Sequence, residues 1–529
     1  MAITISGPPG RGPGARGALP PLPPLPPLPL LLLLLLPTAR GADWSIAPTL
    51  RLRESYSDNI ALAPPGQNHA GLISEVAPGL VLAARGPRLD LQLAYSLARL
   101  SNTRQPDATS HQLSAEARAQ LLEDWLFLDA RSSISERNVS AFGPQLADQL
   151  HRTPNQSSVG STSLSPYLRH RWIGLAGAEL RYTHTRIDSD SALLGSRADQ
   201  VQCELTGERP AGSWNWRAHY ERRRGEDGSR APQVSQRATL TLSYPVSASL
   251  GLFGTIGHEA QGYRDEQAGQ GVAGESPQGR SWSLGAGWYP SARTSLVVSG
   301  GKRFFGNTYS ADATYRSRQT SWSFGYHEDI TSTPQELSRL SSGGTAALLD
   351  QLWSASMPDP VLRQQRIAAF VGYARYLGPE AGAVNYFTQR YFLQKQWRLS
   401  TVRVSQKSTL SFDLSATGRT AQTTSGIDSA LLPPLQTLLE ERTRQRGANA
   451  GWSWRASART NLNLATSYAA NDSISAGRRD RNLALSAGIS RALRHKVSAA
   501  LDLRRMRHSS NMGGGYRENG ISATLVFQL

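Results

Sequence analysis

Residues 238–244 read Ala-Thr-Leu-Thr-Leu-Ser-Tyr, so that apolar side chains alternate one by one with hydroxyl-bearing side chains. The same period of two recurs in at least six other stretches of the chain, at residues 89–97, 214–220, 282–288, 483–489, 497–503 and 521–529. Successive side chains of a β-strand point to opposite faces of the sheet, so each stretch has one apolar face and one polar face. The pattern predicts an all-β chain.

The connections between these stretches are polar and uneven in length, as at residues 189–197, 225–229 and 269–279. Segments of about ten residues with alternating polarity and uneven loops are typical of a transmembrane β-barrel. Lipid offers no partner for backbone N–H and C=O groups, so a sheet spans a membrane only when it closes on itself. We therefore predict a single antiparallel transmembrane β-barrel of roughly 16–20 strands, a number within the range of outer-membrane barrels.

Aromatic residues stand near the ends of many of these segments. Trp and Tyr gather at membrane–water interfaces because an apolar ring with a polar edge suits that boundary. The alternative is that the rings fill the core of a soluble β-sandwich, and the position near segment ends favours the interface. The residues concerned are Tyr182, Trp214, Trp216, Trp282, Trp288, Tyr289, Trp322, Tyr326, Trp452 and Trp454.

The first 41 residues have the composition of an export signal. They contain three arginines and no acidic residue, an unbroken apolar run at Leu30–Leu36, and the small residues Ala39 and Gly41 at the end. A basic start, a short apolar run and a small-x-small end predict a secretory signal peptide at 1–41, leaving a barrel at 42–529. Pro-Leu alternation before the run leaves open that the true start codon lies further downstream.

The composition excludes several functional classes. One cysteine, Cys203, leaves no intramolecular disulfide and no multi-cysteine metal site. No phosphate-binding glycine loop, nucleophile elbow or paired-histidine motif is present, so we predict no cofactor, no metal and no catalytic residue. The formal net charge of +17 could suit nucleic acid, but an exported chain does not meet it. Outer-membrane lipid and the phosphates of lipopolysaccharide are the expected partners of exposed arginines.

One segment departs from the strand pattern. Residues 334–377 include leucines at helical spacing between 337 and 353, followed by Pro358 and Pro360. The spacing predicts a short helix in a long loop. Two positions for it remain open: folded into the lumen, or outside the barrel as an ordinary extracellular loop helix.

Five stretches resemble one protein family. Residues 50–60 (LRLRESYSDNI), 76–80 (VAPGL), 164–168 (LSPYL), 301–309 (GKRFFGNTY) and 326–331 (YHEDIT) are similar, in this order, to stretches of outer-membrane proteins associated with the PEP-CTERM/exosortase system. The resemblance implies a bacterial outer-membrane β-barrel encoded near genes for exopolysaccharide synthesis and protein sorting. The family supplies no activity and no catalytic residues that can be carried over to this chain.

The stretch 301–309 also contains the candidate site residues, Arg303, Phe304, Phe305 and Tyr309. In one interpretation Arg303 pairs with a carboxylate of the barrel and has a structural role. In the other, Arg303 and the aromatic rings form a luminal surface for a sugar polymer, because guanidinium groups hydrogen-bond in pairs and aromatic faces stack on sugar rings.

Three functional hypotheses follow. The first is an accessory or passive conduit in the export of an exopolysaccharide, or in surface assembly linked to PEP-CTERM sorting. The second is a non-transporting structural or surface-docking barrel, and the third, which has the weakest support, is an outer-membrane hydrolase. We predict that the chain is not an enzyme.

Overall fold

The structure is a computed structural model that describes residues 41–145, 150–151, 153–190, 195–207, 214–227, 233–262, 277–339, 388, 390–423, 438–494 and 496–528. These residues form 22 β-strands and one helix of seven residues. The strands are β1 Asp43–Ser57, β2 Gly71–Arg85, β3 Leu89–Asn102, β4 Ala108–Leu122, β5 Leu126–Asn138, β6 Gln156–Trp172, β7 Ala176–Ser189, β8 Ser196–Gly207, β9 Asn215–Asp227, β10 Gln233–Pro245, β11 Leu250–Gln261, β12 Gln278–Ser291, β13 Thr294–Arg303, β14 Gly306–Arg316, β15 Thr320–Ser332, β16 Tyr391–Val404, β17 Ser408–Ala421, β18 Arg442–Arg455, β19 Thr460–Ser473, β20 Arg479–Arg494, β21 Val497–Ser510 and β22 Tyr516–Gln528, and the helix is α1 Thr333–Arg339.

Every strand pairs antiparallel with its neighbours in the sequence, and the last strand returns to the first. Nine residues of β1 pair with β22, from Thr49 opposite Gln528 to Ser57 opposite Gly520. This pairing closes the sheet into a barrel, which confirms the predicted fold class. The described strands number more than the 16–20 expected. One reason is the hairpin of β13 and β14, whose turn holds only Phe304 and Phe305, so that its two strands read as one segment in the sequence.

The two ends of the barrel differ in the length of their connections. At one end, called here the short-turn end, ten connections contain two to seven residues each. At the other, called the long-loop end, connections include 58–70, 139–155, 262–277, 333–390 and 422–441. Short periplasmic turns and long extracellular loops are the rule in outer-membrane barrels. The long-loop end is therefore the extracellular one.

The strand alternation places apolar side chains outside and hydroxyl-bearing side chains inside. On β10, Leu240 and Leu242 are exposed on the outer face, whereas Thr241 shares a hydrogen bond of 2.9 Å with Thr255 of β11 on the inner face. Opposite Leu240 stands Ile256, which is 63% exposed. The barrel thus presents apolar side chains to its surroundings and a polar surface to its lumen.

Two connections at the long-loop end fold inward against the wall of the barrel. In the connection between β5 and β6, the Ala141 carbonyl accepts a hydrogen bond of 2.6 Å from Asn471 of β19, and the Gly143 N–H donates to Asp480 of β20 at 2.8 Å. In the connection between β1 and β2, Leu62 packs with a cluster that includes Met506 of β21. The contacts of Ala141 and Gly143 join strands that are distant around the barrel, so the connection between β5 and β6 folds over the opening.

Helix α1 also lies against the inner wall. Leu337 packs against Val159 of β6 and Ile187 of β7, while Glu336 forms an ion pair with Arg419 of β17. Because β6 and β17 stand far apart around the sheet, a helix that contacts both crosses the interior.

Of the segment predicted at 334–377, the described part is thus helical and luminal. Residues 340–377 lie outside the described residues, as do residues 1–40 of the predicted signal peptide. Within the described residues no helix is long and apolar enough to cross a bilayer.

Candidate functional site: a polar cavity in the barrel lumen

Two bands of exposed aromatic rings encircle the outer face of the strands. The band toward the short-turn end contains Trp214, Tyr244, Trp288, Tyr315, Trp322 and Trp454, and the band toward the long-loop end contains Tyr56, Tyr182, Tyr220, Trp282, Tyr309 and Tyr468. Exposed Leu, Ile and Val side chains lie between them. This arrangement matches the interfacial girdles of a membrane barrel and excludes the sandwich core. The chain is an outer-membrane β-barrel.

Inside the barrel, Arg303 is the centre of a network of buried charges. Its guanidinium donates to Glu259 of β11 through Nε at 3.0 Å and Nη2 at 2.8 Å, and through Nη1 to Asp329 of β15 at 3.1 Å. Glu259 is only 1% exposed and also faces Arg237 of β10 at 3.2 Å. The planar, forked guanidinium suits such paired hydrogen bonds to carboxylates. Arg303 therefore ties together strands on both sides of its own hairpin.

Arg303 also fills a place where two strands have separated. Strands β14 and β15 pair only from Ala311 opposite Tyr326 to Arg316 opposite Ser321, although both continue beyond this point toward the long-loop end. In the separated region, Nη1 of Arg303 donates to the backbone carbonyl of Glu328 at 3.4 Å. An unpaired backbone carbonyl away from water is costly. The arginine side chain thus supplies a donor that the neighbouring strand does not.

A cavity of about 560 Å³ lies around this network, between the wall from β10 to β16 and helix α1. Eight serine and threonine residues contribute to its lining, namely Thr239, Thr255, Ser281, Ser283, Ser299, Thr308, Ser310 and Thr331. A hydroxyl both donates and accepts hydrogen bonds. Arg398, at the edge of the cavity, pairs with Asp413 at 2.8 Å, as Glu336 pairs with Arg419. The cavity is therefore rich in hydrogen-bonding groups, and its charged side chains are largely matched within the protein.

The structure separates the four candidate residues. Arg303 is luminal, but Phe304 and Phe305 form the turn between β13 and β14, and Phe305 places its ring 4.7 Å from the Arg303 guanidinium carbon. Tyr309 borders the cavity, yet its side chain contacts the position of Gly300 and is 56% exposed on the outer face. The two-residue turn interrupts the alternation, so the four side chains do not share one surface. Their contact with a glycan stays a prediction.

Sequence reasoning missed the acidic partners of Arg303. Glu259 and Asp329 lie 44 and 26 residues away in the chain, and they meet Arg303 only through the register of β11 to β15. Both lie within strands, Glu259 in β11 and Asp329 in β15, but the alternation of a strand gives the face of a side chain and not its neighbour on another strand. The one signal in the sequence for a partner of Arg303 was an acidic residue that the alternation places on the inner face, near the long-loop end of a strand.

The described part of the chain holds no metal cluster, and the histidine set at His184 lacks a nucleophile. The described residues contain no group of three or more His, Cys, Asp and Glu side chains that could hold a metal ion. His184 shares a hydrogen bond of 2.9 Å with Asp199, whose carboxylate also accepts from the Tyr182 hydroxyl. This set lies on the outer face and includes neither serine nor cysteine, so it lacks the nucleophile that a hydrolase of the serine type requires.

No family model and no curated protein matches the sequence. Among solved structures, the chain is similar to the FrpB iron transporter from Neisseria meningitidis (F5-1 variant), with 9% identity, a TM-score of 0.49 and coverage of 94% of this chain and 83% of that one. It is also similar to the ferric-catecholate import receptor Fiu from E. coli K12 (7% identity, TM-score 0.45, 92% and 82% covered) and to the siderophore receptor PirA from Pseudomonas aeruginosa (8%, 0.42, 92% and 81%).

Proposed function

We propose that this chain is a passive outer-membrane conduit for a hydroxyl-rich, glycan-type solute, as expected of an accessory barrel in exopolysaccharide export or in surface assembly. The observation that supports it best is the luminal cavity, whose wall offers many hydroxyl groups and few unpaired charges. A sugar chain exchanges hydrogen bonds with water for hydrogen bonds with such a wall. In this proposal the solute moves down its own concentration gradient, or its passage is coupled to an energy source elsewhere.

The matched charges make the solute class more specific. Because Arg237, Arg303 and Arg398 are already paired with carboxylates, the cavity is not a strongly cationic surface. A polyanion would have to compete with Glu259 and Asp329 for these guanidinium groups. We therefore favour a neutral or weakly charged glycan over a highly charged one.

The connections that cross the long-loop end favour a second candidate, the non-transporting structural or surface-docking barrel. The 139–155 connection and helix α1 bridge opposite parts of the wall. If these bridges are permanent, the barrel conducts nothing. In the conduit proposal they open far enough to admit a solute.

Planar-bilayer recording of the refolded full-length chain separates the two candidates. The conduit proposal predicts a stable ion current that neutral maltohexaose blocks in a concentration-dependent manner. The variant S281A/T308V, which removes two hydroxyl groups from the cavity, should weaken the block. The control T524V removes a hydroxyl from the inner face of β22, on the far side of the lumen, and should leave the block unchanged. A folded barrel without current, or with a current insensitive to the sugar, would contradict the conduit.

A further inference from the structure

Seven arginines form a cluster on the outer face of the barrel, separate from the luminal cavity. They lie toward the long-loop end of four strands: Arg444 and Arg446 on β18, Arg479 and Arg481 on β20, Arg505 and Arg507 on β21, and Arg517 on β22. Their face follows from register, since Arg505 stands opposite Leu485 and Arg507 opposite Leu483, both exposed apolar side chains. The cluster therefore faces the surroundings of the barrel.

The positive charge of this cluster is hardly compensated. Asp472 pairs with Arg481 at 2.7 Å, but among the residues that the structure places, Arg505, Arg507 and Arg517 have no ion pair. Arg507 and Arg517 are also direct cross-strand partners in the register of β21 and β22. Like charges directly opposite each other destabilise a sheet. A bound anion would remove this repulsion.

The cluster lies at the height of the membrane surface. The cross-strand row that contains Arg507 also contains Leu483 and Tyr468, and Tyr468 belongs to the aromatic band at the long-loop end. Aromatic bands mark the boundary between hydrocarbon and head groups. The arginines thus stand where the head groups of outer-leaflet lipids lie.

An apolar groove of about 650 Å³ begins directly beside the arginines. It runs over the lipid-facing side of β17 to β22, and Arg505 and Asn519 are at its polar edge. Small side chains, Ala450, Thr466 and Ala487, alternate with larger neighbours and leave the depression. The larger apolar residues that line it are Leu410, Trp452, Leu464, Leu485 and Leu503.

We propose that the arginine cluster and the groove form a binding site for a phosphorylated glycolipid of the outer leaflet, of the lipid A type. Guanidinium groups bind phosphate oxygens through paired hydrogen bonds, and the groove accommodates an acyl chain of the same molecule. The charge complementarity and the height of the cluster above the apolar band select this occupant. The site does not depend on the proposed conduit function.

Binding of diphosphoryl lipid A to the refolded full-length chain, measured by native mass spectrometry in a neutral detergent, tests this proposal. One lipid A should bind, and R505A/R507A/R517A should lower its affinity by at least about tenfold, since each arginine near an anionic surface adds to the attraction. The control R491A/R494A/K496A removes three exposed cations at the short-turn end of β20 and β21 and should bind as the parent does.

Two further binding experiments test the arginine cluster and the apolar groove separately. Dephosphorylated lipid A should bind weakly, and A487F, which fills the groove, should weaken diphosphoryl lipid A while leaving the arginines in place. Equal binding of the dephosphorylated lipid, or of phosphatidylglycerol, would overturn the proposal, as would unchanged binding by the triple arginine variant. Heat-modifiable migration on a gel confirms that each variant is folded.

A stability measurement distinguishes binding from a merely structural role. In phosphatidylcholine vesicles, R507A should raise the urea midpoint because it removes the repulsion from Arg517. In vesicles that also contain diphosphoryl lipid A, the same change should lower it. A change of the same sign in both membranes would contradict lipid binding at this cluster.

Discussion

At the scale of single residues, Arg303 shows what a luminal side chain can do in a barrel wall. It neutralises Glu259 and Asp329, packs on Phe305, and donates to a carbonyl left free where β14 and β15 separate. The structural interpretation of this arginine, a pair with a barrel carboxylate, describes the geometry that we observe.

Replacing this arginine leaves Glu259 with a single cationic neighbour, Arg237. Breaking a buried ion pair by removing one partner costs about 3–5 kcal/mol, and the second arginine reduces that, so we expect R303Q to lower the free energy of unfolding by about 2–3 kcal/mol. Urea unfolding in lipid vesicles measures it. R88Q, which breaks the exposed pair with Glu123, should cost about 0–1 kcal/mol. Equal effects of the two variants would show that the Arg303 network does not stabilise the barrel.

Gly301, two residues before Arg303 on β13, tests how closely β13 is packed against β12. A Cβ built there lies 2.0 Å from the Trp282 carbonyl oxygen and 2.6 Å from the Ser283 Cα, both of them backbone atoms. The backbone has to shift to accept a methyl group, and overpacking typically costs about 1–3 kcal/mol. We expect G301A to lower the urea midpoint. The control G418A meets no atom within 4 Å in β17 and should leave stability unchanged or slightly increased.

At the scale of elements, the strands were predictable because their signal is local. Thr239, Leu240 and Thr241 reveal the face of each side chain by their order alone, whatever the rest of the chain does. The hairpin at Phe304 and Phe305 was not predictable, because a two-residue turn with aromatic side chains lacks the usual Asn-Gly signal. Its Gly306, with a φ of +122°, is the one residue there that indicates a turn.

The crossing connections were equally invisible in the sequence. The hydrogen bond from Asn471 to Ala141 joins residues 330 positions apart, and only the closed barrel brings them together. The ion pairs of the candidate site could not be predicted from the sequence either, since they depend on the relative register of several strands.

The hydrogen bond of Asn471 to Ala141 allows a test of whether this contact restrains the connection between β5 and β6. Because N471A removes one buried hydrogen bond to the connection, worth about 1 kcal/mol, we expect it to increase the frequency of open-channel events in single-channel recordings. The control N461A lies at the opposite end of β19, and its side chain is exposed. Identical recordings from both variants would show that this contact does not restrain the connection.

At the scale of the whole molecule, closure explains why one chain has an apolar outside and a wet inside. The pairing of β1 with β22 leaves no open edge along Thr49 to Ser57, and a sheet without edges can lie in hydrocarbon. Membership of the PEP-CTERM-associated family and the role in exopolysaccharide export stay predictions, because the fold is shared by barrels of many functions.

Cysteine scanning along β10 tests the central claim, that one face of each strand meets lipid and the other meets water. In a C203A background, single cysteines replace Thr239, Leu240, Thr241 and Leu242 in turn in the refolded barrel. A membrane-impermeant maleimide should modify positions 239 and 241, whereas bimane fluorophores at 240 and 242 should be quenched by lipids brominated on their acyl chains. Quenching at neither 240 nor 242, with both positions also protected from the maleimide, would mean that the apolar faces pack against protein, and it would contradict the barrel in the membrane.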